Sequence, residues 1–338
     1  MADIIERSAA DEIADARMEH GHVVILGAGA SRAACPNGDK HGRPLPLMAD
    51  FADCLGIAPQ LRAWGIDPAQ NFEDVYSELH EAGETEKLAT LNRLVEIYFG
   101  QLELPDHPTL YDHLILSLRR QDMIATFNWD PLLIQAHRRN AGRLSQPKLA
   151  FLHGNILSGY CAADHVLGYA GAPCKTCGEP YARTPLLYPI RHKNYADDPA
   201  IAAAWDLLKS GFKTAFMFTI FGYSGPKTDE EAIAAMRAAW GTTAERNMEQ
   251  TAFITLQTTE EVRDAWRAFI HTHHYEVQAD FYESWLAKHP RRTGEAWLAQ
   301  YIEAQFIADN PLPREAGFEE LRAWFEQLHG PEEAAGLA

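Results

Sequence analysis

The apolar residues of this chain fall into short continuous runs separated by stretches with helical spacing. The runs at 22–26, 123–126, 149–152, 214–220 and 251–256 have the length and the apolar content of buried strands. A helical pattern that ends at Trp240 separates the last two runs. Strands that alternate with helices predict an α/β fold built on a doubly wound, Rossmann-like parallel sheet.

Two segments interrupt this alternation, and a third follows it. Residues 47–120 have helical periodicity throughout, which predicts a helical insertion. Residues 158–185 are rich in Gly, Cys and Pro and predict a small zinc-ribbon-like insertion. Beyond residue 260 only helical periodicity is evident. We therefore predict an α/β domain over 1–260 that carries both insertions, and a C-terminal helical extension over 261–338.

The composition narrows the class of partner and the compartment. The 338 residues carry a formal charge of −17, which argues against nucleic acid and against an anionic membrane as partners. The N-terminal segment lacks the order of a signal peptide, and no apolar run approaches the roughly 20 residues of a membrane span. Five cysteines, three of them between Cys161 and Cys177, fit a reducing cytoplasm, which is the expected location.

Polar side chains directly follow two of the predicted strands. Asn128 and Asp130 come after the run at 123–126, and His153 comes after the run at 149–152. Ligands of open α/β sheets bind at the carboxyl ends of the strands, so these side chains should share one crevice. The turn Gly27-Ala28-Gly29-Ala30-Ser31 follows an earlier strand and should reach the same edge. Together they predict a nucleotide-processing site.

The glycine turn by itself is a weak signal. Gly27 and Gly29 would let a pyrophosphate approach the backbone amides at a helix start. The third glycine of the dinucleotide fingerprint is replaced by Arg32, and Asp50, which has the spacing of the ribose-binding acid, falls in a helical pattern. The alternative is a tight strand-to-helix turn that binds no ligand.

The polar triplet suits the cleavage of a C–N glycosidic bond to ribose. Such a reaction passes through an oxocarbenium-like transition state. Asn128 could orient a water or a ribose hydroxyl, Asp130 could fix that amide, and His153 could take a proton. Taken singly, each has an ordinary structural alternative: a turn residue, a helix cap and a hydrogen-bonded histidine.

The cysteine group favours a metal over disulfides. Cys174-Lys175-Thr176-Cys177-Gly178 has the form of a zinc knuckle, in which two thiolates from a tight turn share one ion. Cys161 supplies a third ligand and His165 the fourth, with Asp164 as a poorer candidate. The alternative is a loop of free thiols. Lys288, Arg291 and Arg292 form a compact basic patch, which fits either a phosphate site or surface charges.

These motifs, in this order, resemble the sirtuins. The resemblance covers about residues 20–257 and includes Thr126-Phe127-Asn128-Trp129-Asp130, His153-Gly154, the cysteine cluster and Phe221-Gly222-Tyr223-Ser224. It is greatest to the divergent bacterial branch, which is often tied to antiphage defence. It implies NAD as ligand, with Asn128 and Asp130 at the nicotinamide ribose and His153 as general base. The implied NAD contacts are Gly27, Ala28, Gly29, Ser31, Thr126, Asn128, Gly222 and Ser224.

One departure from the family bears on the reaction. Protein-deacylating sirtuins have a Gly-Ile/Val-Pro-x-Phe-Arg stretch after the glycine turn, whereas this chain has Arg32-Ala33-Ala34-Cys35-Pro36. In the bacterial branch, lack of that stretch goes with plain hydrolysis of NAD to nicotinamide and ADP-ribose. We therefore expect an NAD glycohydrolase that also carries a structural Zn²⁺. The alternatives are a protein deacylase or ADP-ribosyltransferase and a non-catalytic NAD sensor. A homo-oligomer and an activating protein partner both stay open.

Overall fold

A parallel sheet forms the centre of the structure, a computed structural model that describes residues 5–142, 144–189, 195–225, 229–242, 245–246, 248–267, 269–270 and 274–337. In chain order the strands are β1 (Glu6–Arg7), β2 (Gly21–Leu26), β3 (Met123–Thr126), β4 (Lys148–Phe151), β5 (Ser158–Cys161), β6 (Val166–Tyr169), β7 (Ala182–Arg183), β8 (Ala215–Phe221), β9 (Gln250–Ile254), β10 (Tyr275–Gln278) and β11 (Phe306–Ile307).

The helices lie between these strands and after them. They are α1 (Ala9–Ala14), α2 (Ala28–Ala34), α3 (Phe51–Cys54), α4 (Ala58–Ala63), α5 (Phe72–Glu81), α6 (Thr85–Gly100), α7 (Leu110–Leu116), α8 (Leu132–Arg139), α9 (Pro199–Thr214), α10 (Glu230–Trp240), α11 (Thr259–Trp266), α12 (Trp285–Lys288), α13 (Thr293–Trp297) and α14 (Phe318–Ala334). A 3₁₀ turn spans Phe281–Glu283, and a π-helical turn spans Leu298–Ile302.

The order of the strands confirms the predicted fold class. The six-stranded sheet has the order β10-β9-β8-β2-β3-β4, and every neighbouring pair is parallel. The chain therefore starts at the middle with β2, adds β3 and β4 on one side, and then returns to add β8, β9 and β10 on the other. This is the doubly wound order, and its topological switch point lies between β2 and β8.

Both faces of the sheet are covered, which explains why its strands have continuous apolar runs. Along β2, Val24 and Leu26 pack into the core beneath the helical insertion, whereas Val23 and Ile25 pack into the core beneath α9, α10 and α11. Helix α9 begins at Asp198, whose side chain accepts hydrogen bonds from two backbone amides of the first turn, and Pro199 occupies the first helical position.

The two predicted insertions are present. Helices α3 to α7 form the helical insertion between β2 and β3, and its buried stripe on α5 belongs to the same core as β2. Strands β5, β6 and β7 form a separate three-stranded antiparallel sheet that contains the cysteine group. Among the described residues, no helix has both the length and the apolar character needed to cross a bilayer.

The central sheet extends past residue 260, the predicted domain boundary. Strand β10 pairs in parallel with β9, with Tyr275 opposite Thr251, so α11 is the crossover of one more β-α-β unit of the sheet. The prediction missed β10 because it is an edge strand that contains Glu276 and Gln278 and has only partly buried side chains. A further short strand, β11, pairs with β1, so the segment beyond 260 is not purely helical.

The basic residues near the start of α13 are neither a phosphate site nor surface charges. Arg291 and Arg292 are both 1% exposed and form ion pairs with Glu332 of α14, which is fully buried. Arg291 also donates to the carbonyl oxygens of Leu116 and Leu118 at 3.2 and 2.9 Å. The patch therefore joins the C-terminal helix to the segment before β3.

Candidate active site

The turns that follow β2 and β8 lie against each other at the switch point. The amide of Gly27 donates to the carbonyl of Phe221 and that of Gly29 to the carbonyl of Gly222, both at 3.0 Å. A Cβ atom on Gly27 would lie 2.5 Å from the Gly222 oxygen, and Gly222 itself has φ +63°. The glycines of the two motifs are therefore required by the close approach of two backbones, which is one of the established uses of glycine.

A cavity of about 800 Å³ opens at this point, along the carboxyl ends of the strands. Its walls combine the predicted polar residues with apolar side chains of the helical insertion, which is the usual composition of a small-molecule pocket. Of the predicted site residues, Thr126 is buried and does not line the cavity. Its hydroxyl accepts a hydrogen bond from the backbone amide of Asn128 at 3.0 Å. The others line the cavity: Gly27, Ala28, Gly29, Ser31, Asn128, Asp130, His153, Gly222 and Ser224.

Asn128 is held by hydrogen bonds from its amide nitrogen. Nδ2 donates to the carbonyl oxygen of Gly27 at 2.8 Å and to the Ser31 hydroxyl at 2.9 Å. The hydroxyl of Ser31 donates in turn to Asp130 at 2.6 Å. These contacts join the turn after β2 to the turn after β3, although the residues are about a hundred positions apart in sequence.

Asp130 is buried in the cavity wall and bonds to neighbouring groups of the site. Its second carboxylate oxygen accepts from the backbone amide of Leu132, the first residue of α8, at 3.0 Å, so Asp130 also has a structural role at the start of that helix. Burial raises the pKa of this carboxyl, and the hydrogen bond from Ser31 opposes that rise. Asn155, two residues after His153, donates to the carbonyl oxygen of Asp130 at 2.5 Å.

Tyr111 completes this cluster and was not predicted from the sequence. Its hydroxyl lies 2.7 Å from the Ser31 hydroxyl and 3.4 Å from Asn128 Nδ2, and the residue is 1% exposed. Burial raises the pKa of the Tyr111 phenol well above its ordinary value. The only sequence signal was a capping box at Thr109, which fixes the start of α7.

His153 forms part of the cavity wall among aromatic rings. It is 6% exposed, its ring packs edge-on against Phe127 at 4.7 Å between centroids, and it stacks on Tyr195 at 5.8 Å. Its Nε2 lies 3.4 Å from the Tyr195 hydroxyl. The imidazole therefore lies at the cavity and is not shielded from it by aliphatic packing.

The segment after β8 reaches the same cavity from the other side. Tyr223 stacks on Phe127 with 4.3 Å between ring centroids, and its hydroxyl donates to Asp229 at 2.9 Å. Ser224 lines the cavity beside it, together with Gln257 from the loop after β9. The Phe-Gly-Tyr-Ser motif thus packs against the Thr-Phe-Asn-Trp-Asp motif.

Polar contacts hold the loop after α2 in place. Arg32, at the position of the missing third glycine, donates to the Leu45 carbonyl at 2.6 and 2.8 Å and pairs with Asp50 at 2.5 Å. Asp50, which has the spacing of the ribose-binding acid, is engaged by Arg32 and is not among the residues that line the cavity. Further along, buried Asp39 accepts from the amides of His41 and Arg43.

The cysteine group of the second insertion has the geometry of a metal site. Side-chain ligand atoms of Cys161, Asp164, Cys174 and Cys177 all lie within 4.8 Å of one another. Cys161 Sγ is 3.5 Å from Cys177 Sγ, and Asp164 Oδ2 is 3.1 Å from Cys174 Sγ. Three thiolates and one carboxylate at these separations suit one tetrahedral Zn²⁺ ion.

The predicted fourth ligand, His165, is wrong. It has φ +54° in the turn between β5 and β6, and its Nδ1 lies 2.8 Å from the hydroxyl of Tyr160. The preceding residue, Asp164, takes the place beside the thiols. Asp164 was the second candidate for this ligand, and the choice between two adjacent turn residues depends on the local backbone angles, which the sequence does not specify.

This chain has only low similarity to known proteins. No protein-family model matches the chain, and no curated protein sequence matches it. A Sir2 variant solved with a deacetylated peptide and an acetyl ADP-ribose is 14% identical, with a TM-score of 0.40, over 86% of this chain and 96% of that one. A Sir2 homologue variant in complex with ADP-ribose is 13% identical, with a TM-score of 0.41, over 97% of each chain. Likeness at this level assigns neither a family nor an activity.

Proposed function

We propose that this protein hydrolyses NAD⁺ at the nicotinamide–ribose bond and releases nicotinamide and ADP-ribose. The observation that carries the proposal is the convergence of Asn128, His153 and the Gly27–Ser31 turn on one cavity at the switch point of the sheet. Each belongs to a motif of the sirtuin resemblance, and that resemblance rests on the sequence motifs alone.

The site supports the chemistry of such a cleavage. A water molecule would attack the anomeric carbon while the C–N bond breaks, and nicotinamide would leave as a neutral molecule. His153 would take the proton of that water or of a ribose hydroxyl. The reacting carbon would develop positive charge, and the carboxyl of Asp130, which accepts from Ser31 in the wall of the same cavity, would lie near that charge.

The loop after α2 favours hydrolysis over protein deacylation. A deacylase needs room for an acylated side chain of a second protein at the reacting carbon. Here Arg32 joins that loop to Leu45 and Asp50, and the apolar side chains of Leu47 and Met48 line the cavity. These contacts hold the loop in place beside the cavity and support a role for it in binding a small molecule. Protein deacylation, ADP-ribosyl transfer and NAD sensing are the alternative candidates.

The proposal is tested by incubating the purified chain with NAD⁺, with and without an acylated peptide, and following nicotinamide and ADP-ribose by chromatography. We expect turnover without peptide, and its loss in His153→Ala and in Asn128→Ala. His137→Ala is the matched control, because His137 lies on α8 outside the cavity wall and bonds to Tyr169. Turnover that requires the peptide would establish the deacylase, and binding without turnover would establish the sensor.

We also propose that Cys161, Asp164, Cys174 and Cys177 hold a structural Zn²⁺. Three thiolates are soft ligands that select zinc over calcium or magnesium. The turn that presents two of them is closed by a hydrogen bond from the Gly178 amide to the Cys174 carbonyl at 2.9 Å. A fourth protein ligand leaves no open position on the ion, which is the arrangement of structural sites.

A further inference from the structure

Tyr111 is the one residue of the helical insertion whose side chain enters the polar cluster beneath Asn128. Its ring belongs to the apolar core that the insertion shares with β2, and only its hydroxyl reaches polar partners. A buried phenol normally finds a hydrogen-bond partner, and this one finds Ser31 at 2.7 Å. The start of α7, which carries Tyr111, is fixed by two hydrogen bonds that the Thr109 backbone amide and hydroxyl donate to the Asp112 carboxylate.

The protons of this cluster can be counted. The Ser31 hydroxyl has one proton, which goes to Asp130, and two lone pairs. One lone pair accepts from Asn128 Nδ2 at 2.9 Å, and the other accepts from the hydroxyl of Tyr111. All the hydrogen-bonding capacity of Ser31 is therefore used within the protein.

The same count fixes the orientation of the Asn128 carboxamide. Both protons of Nδ2 are used, one by the Gly27 carbonyl oxygen at 2.8 Å and one by Ser31. The reversed orientation would place Oδ1 at 2.8 Å from that carbonyl oxygen, where two acceptors repel. Within the described part of the chain, no hydrogen bond uses Oδ1. Asn128 consequently offers the cavity an acceptor.

We propose that Tyr111 is a positioning residue of the site: through Ser31, it holds the Asn128 carboxamide with Nδ2 turned into the protein and Oδ1 turned to the cavity. The inference rests on the proposed function and deepens it. An acceptor at this place binds a hydroxyl hydrogen of ribose or of the attacking water. Loss of the Tyr111 hydroxyl frees a lone pair of Ser31, so Ser31 and Asn128 can adopt other orientations.

The kinetic test compares Tyr111→Phe with Tyr76→Phe. Tyr76 is a matched control because it is also a buried tyrosine of the insertion, and its hydroxyl donates to Asn92 at 2.8 Å away from the cavity. We expect Tyr111→Phe to lower kcat for NAD⁺ cleavage about 10- to 100-fold with KM changed less than about threefold, because the misplaced group acts on the reacting atoms. Tyr76→Phe should keep the wild-type kcat. Equal kcat in Tyr111→Phe and wild type would overturn the proposal.

A second measurement does not depend on catalysis and separates the two proposals. In the ¹⁵N spectrum, the signal that disappears in Asn128→Ala is the Asn128 side-chain amide, and both of its protons should be protected from exchange with water. That protection should fall at least about tenfold in Tyr111→Phe and persist in Tyr76→Phe. Unprotected protons in the wild type, or equal protection in Tyr111→Phe, would overturn the positioning role. A wild type with protected protons and no NAD⁺ cleavage would leave the positioning role supported and refute the hydrolase.

Discussion

At the scale of single residues, hydrogen bonds and packing restrict the orientations of the side chains that form the site. Asn128 and His153 could be predicted because each directly follows a buried strand, where the topology of a parallel sheet brings side chains together. Tyr111 could not be predicted, because a tyrosine on a helix stripe is normally part of the core. His165 was chosen over Asp164 from ligand preference alone, and the backbone angles of the turn decided otherwise.

Gly222→Ala should damage the site through backbone strain. Gly222 has φ +63°, and a Cβ there would lie 2.2 Å from the amide nitrogen of Ala30. We expect a loss of about 1–3 kcal/mol in the free energy of unfolding, together with loss of NAD⁺ cleavage, because α2 would be displaced. Gly330→Ala is the control, since a Cβ at Gly330 meets nothing within 4 Å. Wild-type activity and stability in Gly222→Ala would contradict the close approach of the two turns.

His22 should make folding depend on pH. Burial, aided by the charge of Arg119, lowers the pKa of His22 from 6.5 to about 3 in the folded protein. Between these values the unfolded chain binds a proton that the folded protein does not, so the free energy of unfolding falls as the pH falls from 6.5 to about 3.

The difference between wild type and His22→Gln isolates this contribution from that of the carboxyls. Buried Asp122, for example, has a raised pKa and acts in the opposite direction. Urea denaturation of both proteins at pH 4, 5, 6 and 7 should give curves whose separation changes by about 1.4 kcal/mol per pH unit below 6. Parallel curves across this range would show that His22 titrates normally in the folded state.

At the scale of elements, the burial of each strand determined whether it could be predicted from the sequence. Strand β2 is buried along its whole length and was predicted, whereas the edge strand β10 is partly exposed and was missed. Because a strand at the edge of a sheet is covered less, its residues carry weaker hydrophobic patterning. The presence of both insertions could be predicted, since each departs from the alternation of strand and helix.

The zinc proposal predicts a stoichiometry for the β5–β7 insertion. The purified wild type should contain about one Zn²⁺ per chain by elemental analysis, and Cys174→Ser should contain much less, because three remaining ligands hold the ion weakly. Cys54→Ser is the control, as Cys54 lies on α3 outside the metal group. A metal-free wild type with reactive thiols would show that the cluster is a loop of free cysteines.

The stability of the fold should depend on the buried carboxylate of Glu332 in helix α14. Glu332→Gln leaves the guanidinium groups of Arg291 and Arg292 buried without a counter-charge, and breaking such a pair costs about 3–5 kcal/mol. Denaturation with urea should show this loss relative to Glu326→Gln, which changes an exposed glutamate of the same helix by less than about 0.5 kcal/mol. Equal midpoints for the two variants would refute an essential role for the ion pairs.

At the scale of the whole molecule, the carboxyl and amino ends of the central strands carry different features. The carboxyl ends of the strands carry the glycine turns, the Asn128 cluster and the cavity. At the amino ends, Glu295 accepts from the amide of His20, directly before β2, and pairs with Arg119, shortly before β3. The loops that form the site thus lie at one edge of the sheet, while buried ion pairs join the terminal segments at the other edge. Fold and site location could be predicted from sequence, but these long-range ion pairs could not.

The most direct test of the account is the rate at which the full chain releases nicotinamide from NAD⁺ when no acyl or ADP-ribosyl acceptor is present, in wild type and in His153→Ala. The account predicts continuous turnover by the wild type, ADP-ribose in equal amount, and a rate at least about 100-fold lower in the variant. Equal rates in the two proteins would remove His153 from the reaction. If the wild type binds NAD⁺ but releases no nicotinamide, the proposed hydrolase activity itself is contradicted.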